Sequence, residues 1–405
     1  MLRGWRRGLA ASVTFVCVAG CYGIRVSSHT PSTPEYKPIS RPEVAADDLG
    51  LPGLRRAALA SRRYYSRPAA GSSYHLGEDT YTSAQIARSI EYFLQIVEET
   101  PPRALNNRLA RECRGYTPTR GGARFTAYYE PVLEARTQPD ARFRYPIYRK
   151  PEGGLEPLRS LSRDQIDRRQ MLAGRGLELA WVDDPVGLYF LHVQGSGRLR
   201  LPGGHLMRVN FASSNGRPYV SVGRYLLDNG YISAGSVEAI RAYLDANPET
   251  RDEILSTNGR YIFFRQVDLA DNEGPIGSLG VPLIAGRSIA ADQRFVPPGA
   301  VVYIKTRAPV VDTRGKLVGW NRLARFAFNH DSGAAIKGPG RADIYWGEGT
   351  RAGMAAGFVN NPGDMIVLVC GVEPRTVASR GSNGLARVSW PEVERVLAAV
   401  SDLGR

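Results

Sequence analysis

Cysteine and histidine are scarce in this chain of 405 residues. It contains four cysteines and five histidines, and the histidines show no spacing typical of metal ligands. The sequence therefore predicts no metal site, and nothing in it indicates a cofactor. Two of the cysteines, Cys113 and Cys370, lie in the body of the chain. They form either a disulfide, which an oxidising compartment would permit, or two buried thiols.

The signatures of several common catalytic mechanisms are also missing. The chain has no G-x-S-x-G elbow, no Walker A motif and no H-E-x-x-H, and its glycine-rich stretch at 347–353 does not match G-x-G-x-x-G. These absences argue against a serine hydrolase of the elbow type, a P-loop nucleotide enzyme, a zinc protease and a dinucleotide-binding enzyme. Carboxylates remain the best catalytic candidates.

Long apolar runs are missing as well. The run at 9–18 follows three arginines and is too short for a membrane span, so residues 1–20 are predicted to be a signal peptide. Val18-Ala19-Gly20-Cys21 resembles a lipobox, which implies lipidation of Cys21; the alternative is an ordinary signal with a chance cysteine. Tyr22 stands where an Asp would signal inner-membrane retention. We therefore expect an anchor in outer-membrane lipid, facing the periplasm.

The composition indicates a folded body after a spacer. Ser, Thr and Pro with few apolar residues predict a lipid-anchored linker over 21–75. The net charge of +14 suits an anionic partner such as cell-wall polymer or lipid headgroups, although solubility alone also explains it. Nucleic acid is not expected as a partner, because the chain carries an export signal.

Periodic patterns place both helices and strands in the body. Capping boxes or caps at Thr82, Ser162 and Ser236 predict helices starting after each of them. Short apolar runs bounded by Gly, Pro or Asn predict strands at 125–129, 188–194, 261–265, 301–305, 326–328 and 365–370. The fold class is therefore mainly β or α+β. A last helical pattern at 391–403 is interpreted as a terminal appendage.

The segment NHDSGAAIKGPGRADIYWG, residues 329–347, is the strongest candidate for catalysis. It places Asp331 and Asp343 twelve residues apart around a glycine-rich turn, which predicts that they flank a hairpin-like loop. If 341–345 is a strand, Asp343 shares one face with Arg341 and Tyr345, and Ala342 and Ile344 lie on the other. The alternative is that both aspartates only cap turns.

Several segments together resemble the MltA family of membrane-bound lytic murein transglycosylases, including the "3D" region with its three aspartates. The matching segments are FTAYYEPVLEAR (125–136), YPIYRKP (145–151), FLHVQGSGRLRLPGG (190–204), NGRPYVSVGRYLLDNG (215–230), NGRYIFFR (258–265), GPIGSLGVPLIAGRSIAADQRFVPPGAVVYI (274–304) and the aspartate segment itself. Their order and spacing run from about residue 80 to 375. Departures are Ala334, where Gly is expected, and FASSNG in place of Y-A-G-x-N-G.

The resemblance implies a double-psi β-barrel interrupted by an inserted second β-rich domain, with a glycan cleft between them. Mapped onto this chain, the barrel takes 76–135 plus 262–375, the insert 136–261, and a C-terminal tail 376–405.

The resemblance also implies a reaction. The family cleaves the MurNAc-β-1,4-GlcNAc bond of peptidoglycan and leaves 1,6-anhydro-MurNAc, with one aspartate, at the position of Asp343, as acid and base. Asp331 either stabilises positive charge on the sugar or orients the loop, and Asp292 is expected to be structural. Lys337 polarises a substrate group or caps the turn.

Substrate contacts are expected from aromatic and polar side chains on both sides of the cleft: Tyr128, Tyr129, Glu130, Gln194, Ser196, Gly197 and Tyr345. Tyr128 and Tyr129 alternate in a strand, so one of them belongs to the core. The partners implied are peptidoglycan glycan strands, with other cell-wall enzymes as further candidates. The competing hypotheses are a non-catalytic glycan-binding lipoprotein of expansin-like fold and a water-using muramidase.

Overall fold

The computed structural model describes residues 35–44, 47–67, 72–152 and 161–376. The predicted signal peptide, Cys21 and the pattern at 391–403 lie outside these residues. None of the helices in the described residues has the length and apolar character needed to cross a membrane.

The described residues contain α-helices distributed among many strands. The helices are α1 Leu51–Tyr65, α2 Ser83–Glu99, α3 Pro102–Glu112, α4 Arg163–Asp167, α5 Pro185–Gln194, α6 Val222–Asp228, α7 Val237–Ala246, α8 Pro248–Ser256 and α9 Gly349–Phe358. The strands are β1 Tyr36–Ile39, β2 Ser73–Leu76, β3 Asp79–Thr82, β4 Cys113–Pro118, β5 Ala123–Glu130, β6 Val132–Arg136, β7 Tyr145–Tyr148, β8 Glu178–Val182, β9 Ser196–Arg200, β10 Leu206–Ser214, β11 Ile262–Val267, β12 Ser288–Ala291, β13 Val301–Val311, β14 Leu317–Asp331, β15 Arg341–Glu348, β16 Asn360–Cys370 and β17 Arg375–Thr376.

Six of these strands close into a barrel. Their order is β16-β13-β14-β12-β15-β5, and β5 pairs back onto β16 to complete the ring. The pairs β12–β14 and β15–β5 are parallel, and the other four are antiparallel. Alternating apolar side chains from these strands fill the interior, and β1 and β4 extend the sheet on one side. The predicted fold class, mainly β or α+β with a barrel, is confirmed, and the barrel has six strands.

The chain leaves the barrel after β5 and returns to it at β12. The intervening residues form a second sheet of order β11-β10-β9-β6-β8-β7, with its own apolar cores against α4 to α8. This sheet is the inserted β-rich region that the resemblance implies. The domain boundaries themselves stay a prediction.

The segment preceding the barrel is folded, so the linker predicted over 21–75 is wrong for its described part. β1 pairs with β4, and α1 buries Leu54, Ala57 and Ala58 against the barrel core. Asp47 and Asp48 also pair with Arg287 and Arg325 of the barrel. The Ser, Thr and Pro content at the start of this segment suggested a spacer, but the apolar residues further along it lie on one side of α1 and pack on the barrel.

Helix starts are well predicted from local signals. Thr82 and Ser162 both form complete capping boxes, and the Ser236 side chain accepts from Ala239 N. Five of the six predicted strands are present within β5, β11, β13, β14 and β16.

The predicted strand at 188–194 is wrong, because these residues belong to helix α5. A short apolar run does not distinguish a strand from a buried helix. Cap signals decide the matter: the Asp184 side chain accepts from Gly187 N, Pro185 opens the first turn, and Gly195 ends the helix with a φ of 79°.

The two body cysteines form a disulfide. Cys113 of β4 and Cys370 of β16 lie directly opposite each other in the antiparallel pair and are bonded. Of the two possibilities for these cysteines, the structure shows the disulfide and not two free thiols. The bond joins the barrel to the strand that extends it.

Candidate active site

Strand β15 presents Asp343 between two neighbouring strands of the barrel. Asp343 lies opposite Thr126 of β5 on one side and Ala290 of β12 on the other. Ala342 and Ile344, on the opposite face, are fully buried. The predicted alternation along 341–345 is therefore confirmed, and it aims Asp343 away from the apolar interior.

The environment of Asp343 favours its neutral form. Burial raises the pKa of this carboxyl to about 6, and the nearby charge of Asp331 acts in the same direction. A hydrogen bond from Thr126 and the charge of Arg341 oppose the rise in the pKa. Asp343 Oδ1 is buried and has no hydrogen-bond partner among the described residues. An ionised carboxylate with an unpartnered buried oxygen is costly, which is why the proton is held more tightly.

Arg341 controls the direction of the Thr126 hydroxyl. Arg341 Nη2 donates to Thr126 Oγ1 at 3.1 Å. Because a guanidinium only donates, the Thr126 oxygen accepts this bond and its own proton is free for Asp343.

Asp331 ends strand β14 on the same side of the barrel as Asp343. Both aspartates pair with Ala290 of β12, one from each side. They are therefore separated by two strand spacings, about 10 Å along the sheet. The two aspartates flank the loop between β14 and β15, as predicted, but the loop does not close a hairpin, because β12 lies between these strands. A parallel strand contributed from far along the chain cannot be seen in local turn residues.

The carboxylate of Asp331 is fully engaged by protein groups. Its Oδ1 accepts from Ser278 N at 2.8 Å and Ser332 N at 2.9 Å, and its Oδ2 accepts from Tyr128 Oη at 2.9 Å. Burial raises the pKa of Asp331, and these hydrogen bonds oppose the rise. Asp331 thus fixes the 277–281 loop and the Tyr128 ring together.

The two adjacent tyrosines take opposite faces of β5, as alternation predicts. The ring of Tyr128 packs on Tyr345 with centroids 5.5 Å apart, beside the two aspartates. Tyr129 is buried on the other side, and its backbone N–H donates to Gln194 Oε1 at 3.1 Å. Of the pair, Tyr129 is the core residue and Tyr128 lines the site.

Glu130 is almost completely buried in a cluster of ions. Its Oε2 accepts from Arg198 Nε at 2.9 Å and its Oε1 accepts from Arg208 Nη2 at 3.1 Å. Arg198 also pairs with Glu348 of β15. The cluster joins barrel strands β5 and β15 to insert strands β9 and β10. Both carboxylate oxygens of Glu130 are occupied, so its predicted contact with substrate stays a prediction.

The remaining predicted site residues have different environments. Gln194 ends α5 and is partly exposed, whereas Ser196 and Gly197 are buried at the start of β9. A Cβ at Gly197 would lie 2.4 Å from Leu191 Cδ1 and 3.2 Å from Pro131 O, so a larger residue there would displace neighbouring atoms. Lys337 is exposed.

Asp292 is held in a structural arrangement. A hydrogen-bonded pair with Arg294 lowers its pKa to about 2 against the effect of burial, and it also accepts from Gly338 N at 3.0 Å. The carboxylate therefore stays ionised and fixes the loop between β14 and β15. This environment supports the structural role expected of Asp292.

Two residues near Asp343, Thr126 and Tyr219, were not predicted as site residues from the sequence. Thr126 forms a hydrogen bond with Asp343. Tyr219 of the insert lies close enough for the Asp343 charge to raise the pKa of the phenol, which burial raises most. Tyr219 follows the turn Asn215-Gly216-Arg217-Pro218. That turn is the only local signal, and it carries no information about a partner more than a hundred residues away.

Comparisons with known families agree with this architecture. A family model described as the MltA specific insert domain matches residues 124–265. A second model, described as the 3D domain, matches residues 287–369. The first covers β5 and most of the inserted sheet, and the second covers barrel strands β12 to β15 and most of β16.

The individual proteins that this chain is similar to are named as lytic murein transglycosylases or as MltA. Membrane-bound lytic murein transglycosylase A of Escherichia coli (strain K12) is 34% identical over 256 residues, which are 61% of this chain and 66% of that protein. The chain thus spans just under two thirds of that relative. A crystal structure of a membrane-bound lytic murein transglycosylase from Agrobacterium tumefaciens is 31% identical, with a TM-score of 0.63, and the match covers 81% of this chain and 97% of that one. A crystal structure of E. coli MltA with bound chitohexaose is 25% identical, with a TM-score of 0.68, over 84% of this chain and 96% of that one.

Proposed function

Because the chain belongs to the MltA family of membrane-bound lytic murein transglycosylases, we propose that it cleaves the MurNAc-β-1,4-GlcNAc bond of peptidoglycan and forms 1,6-anhydro-MurNAc. The observation that carries this proposal is the environment of Asp343. Burial raises the pKa of this carboxyl to about 6. Such a group exchanges a proton readily near neutral pH, as a general acid and base must.

One carboxyl suffices for this reaction because the sugar supplies its own nucleophile. Neutral Asp343 gives its proton to the glycosidic oxygen, and the GlcNAc portion leaves. The carboxylate then takes the proton of the MurNAc C6 hydroxyl as that oxygen bonds to C1. Intramolecular attack has an effective molarity of about 10⁵ M or more when well oriented, so no second carboxylate is needed to activate water.

The other residues at the site support the acid and the sugar. We assign Asp331 to electrostatics and positioning, because its two oxygens accept three hydrogen bonds from Ser278, Ser332 and Tyr128 and its charge raises the pKa of Asp343. Tyr128 and Tyr345 offer ring faces to sugar, and Tyr219 approaches from the insert. Gln194 and Lys337 remain proposed polar contacts, as do Ser196 and Gly197 through the start of β9.

The likeness to a chitohexaose-bound relative supports a glycan strand as the substrate. The relatives are also named as membrane-bound. We propose that this chain is anchored through a lipid on Cys21 and acts on the periplasmic side of the outer membrane. Incorporation of labelled lipid into the full chain, and its loss in Cys21→Ser, tests the anchor.

Digestion of purified peptidoglycan by the full chain, followed by mass spectrometry of the muropeptides, tests the activity. We expect products lighter than hydrolysis products by one water molecule, and their release should decline as the pH rises above about 6. Asp343→Asn should abolish release, whereas Asp364→Asn makes the same change at an exposed carboxylate and should not.

The alternatives give different products. A muramidase would release only reducing-end muropeptides. A non-catalytic glycan-binding lipoprotein would sediment with peptidoglycan without releasing soluble products. Either result refutes the proposed reaction, and full activity of Asp343→Asn refutes the assignment of the acid.

A further inference from the structure

Strand β14 contains a β-bulge at His330, directly before Asp331. In the pairing with β12, Ile289 lies opposite Asn329 and Ala290 lies opposite Asp331, so His330 has no opposite residue. Its side chain is fully buried and stacks on Phe328 with centroids 5.6 Å apart. Bulges change the direction of side chains at the strand ends where active sites are built.

Two serine hydroxyls hold the His330 ring from opposite sides. Ser61 Oγ of α1 lies 2.9 Å from Nε2, and Ser288 Oγ of β12 lies 2.8 Å from Nδ1. The neighbours of each serine determine which atom donates. Ser61 Oγ donates to Gly299 O at 2.9 Å, so it accepts from His330 Nε2–H. Ser288 Oγ accepts from Ile284 N at 2.9 Å and keeps its own proton to donate to an unprotonated Nδ1.

Burial lowers the pKa of His330 to about 3, although a hydrogen bond to the backbone of Ala57 acts in the opposite direction. The imidazole is therefore neutral near neutral pH. Its proton lies on Nε2, and Nδ1 accepts from Ser288 Oγ. The network is a fixed feature of the fold and does not titrate with the catalytic group.

The bulge determines which face of the sheet carries Asp331. Paired residues on adjacent strands point to the same face, so Asp331, Ala290 and Asp343 share one face. Without the bulge, His330 would lie opposite Ala290, and Asp331 would turn to the other face. Asp331 would then lose Tyr128, and Asp343 would lose the neighbouring charge.

We propose that His330, held by Ser61 and Ser288, is a positioning residue that keeps Asp331 and Tyr128 in the active site. The inference rests on the proposed function for its catalytic consequence. Ser61 lies in α1, outside both regions matched by the family models. A helix that precedes the matched part of the chain therefore contributes a hydrogen bond that holds His330.

The test compares two substitutions of His330 in the full chain. His330→Phe keeps a ring of similar size and removes both hydrogen bonds, whereas His330→Gln keeps one donor and one acceptor. His192→Phe is the matched control, because His192 is also buried but neither ring nitrogen has a hydrogen-bond partner among the described residues. Ser288→Ala removes the bond to Nδ1 and the bond that Ile284 N donates, but it keeps the bond between Ser61 and Nε2. It provides a milder variant if His330→Phe folds poorly.

We expect His330→Phe to lower kcat for anhydromuropeptide release by about 10-fold to 100-fold, the scale of a small misplacement in a site. Of the groups facing Asp343, which include Arg341, Thr126, Asp331 and Tyr219, Asp331 is the one displaced. Because the charge of Asp331 raises the pKa of Asp343, the decline of activity with pH should move to lower pH. Ser288→Ala should lower kcat and move the pH profile in the same direction, but by less. His330→Gln should have a kcat and a pH profile close to those of wild type. His192→Phe should change neither kcat nor the pH profile.

Wild-type kcat and an unchanged pH profile in folded His330→Phe would overturn the inference. A smaller amount of folded enzyme, with wild-type kcat per folded molecule, would overturn it as well. A crystal structure of the same variant gives a readout that does not need activity. Loss of the bond from Tyr128 Oη to Asp331 is expected there, and its retention also refutes the inference. If wild-type protein releases no anhydro product, the proposed function fails, and the Tyr128–Asp331 distance still decides whether His330 positions this pair.

Discussion

The buried carboxyl of Asp343 lowers the stability of the folded protein when it is ionised. Its pKa is about 6 in the folded protein and near the ordinary 3.8 in the unfolded chain. The folded state therefore binds more protons between these values, and stability falls as the pH rises through this window. Above about pH 6 the penalty is complete.

Asp343→Asn should therefore stabilise the protein while abolishing activity. We expect its free energy of unfolding to exceed that of wild type by about 1–3 kcal/mol at pH 8, because one unit of pKa corresponds to about 1.4 kcal/mol. The difference should shrink as the pH is lowered and vanish below about pH 4, where both side chains are neutral. Urea unfolding across this pH range measures it. A difference that does not depend on pH would show that the Asp343 pKa is not raised.

At the residue scale, the sequence identified the aspartates but not everything around them. Asp331 and Asp343 stand out because they flank a glycine-rich segment. Thr126 and Tyr219 do not, because they approach Asp343 only through strand pairing and through the position of the insert. The bulge at His330 has no local signature either, since two serines from distant elements create its environment. Motifs reveal reacting groups, and tertiary packing supplies their partners.

At the scale of elements, cap residues predicted more than apolar runs did. Thr82, Ser162 and Ser236 start helices where expected, because a cap is satisfied within four residues of chain. The strand predicted at 188–194 is wrong because its apolar residues are nearly all buried, so neither helical nor strand periodicity is visible. The loop between Asp331 and Asp343 is not a hairpin because β12 separates their strands.

The disulfide between β4 and β16 should contribute substantially to stability. It joins residues 257 apart in sequence, and closing so long a loop removes much entropy from the unfolded chain. We expect Cys113→Ser with Cys370→Ser to lose about 2–5 kcal/mol of unfolding free energy. Thermal unfolding with and without reductant measures this loss. Reductant should bring the Tm of wild type to that of the double variant and leave the variant unchanged; equal Tm values without reductant would contradict the prediction.

At the scale of the whole molecule, the cluster around Glu130 joins the barrel to the insert. Arg198 and Arg208 come from the insert sheet, and Glu130 and Glu348 come from the barrel. Both arginines also donate to backbone carbonyls of the 270–273 segment, where the chain returns to the barrel. Tyr219 of the insert lies near Asp343 of the barrel. The cluster therefore helps to set the position of Tyr219 relative to Asp343.

Glu130→Gln tests this connection, with Glu134→Gln as the matched control. Removing one partner of a buried ion pair leaves uncompensated charge and costs about 3–5 kcal/mol. The Glu134–Arg200 pair is about half exposed, at 46% and 51%, and has a similar distance of 2.7 Å. Its loss should cost less than about 1 kcal/mol because water screens it. Urea unfolding of both variants gives the two values.

The kinetics of the same variants separate two roles for Glu130. If the carboxylate only joins the barrel to the insert, Glu130→Gln should lose unfolding free energy and kcat together, because Tyr219 moves relative to Asp343. The direct sugar contact predicted from the sequence would instead raise KM and leave the unfolding free energy near that of wild type. Equal, small effects of Glu130→Gln and Glu134→Gln on stability would refute the buried connection. Glu130 differs from Glu134 in its burial and in pairing with two arginines, so the difference between the two variants measures what the buried cluster contributes.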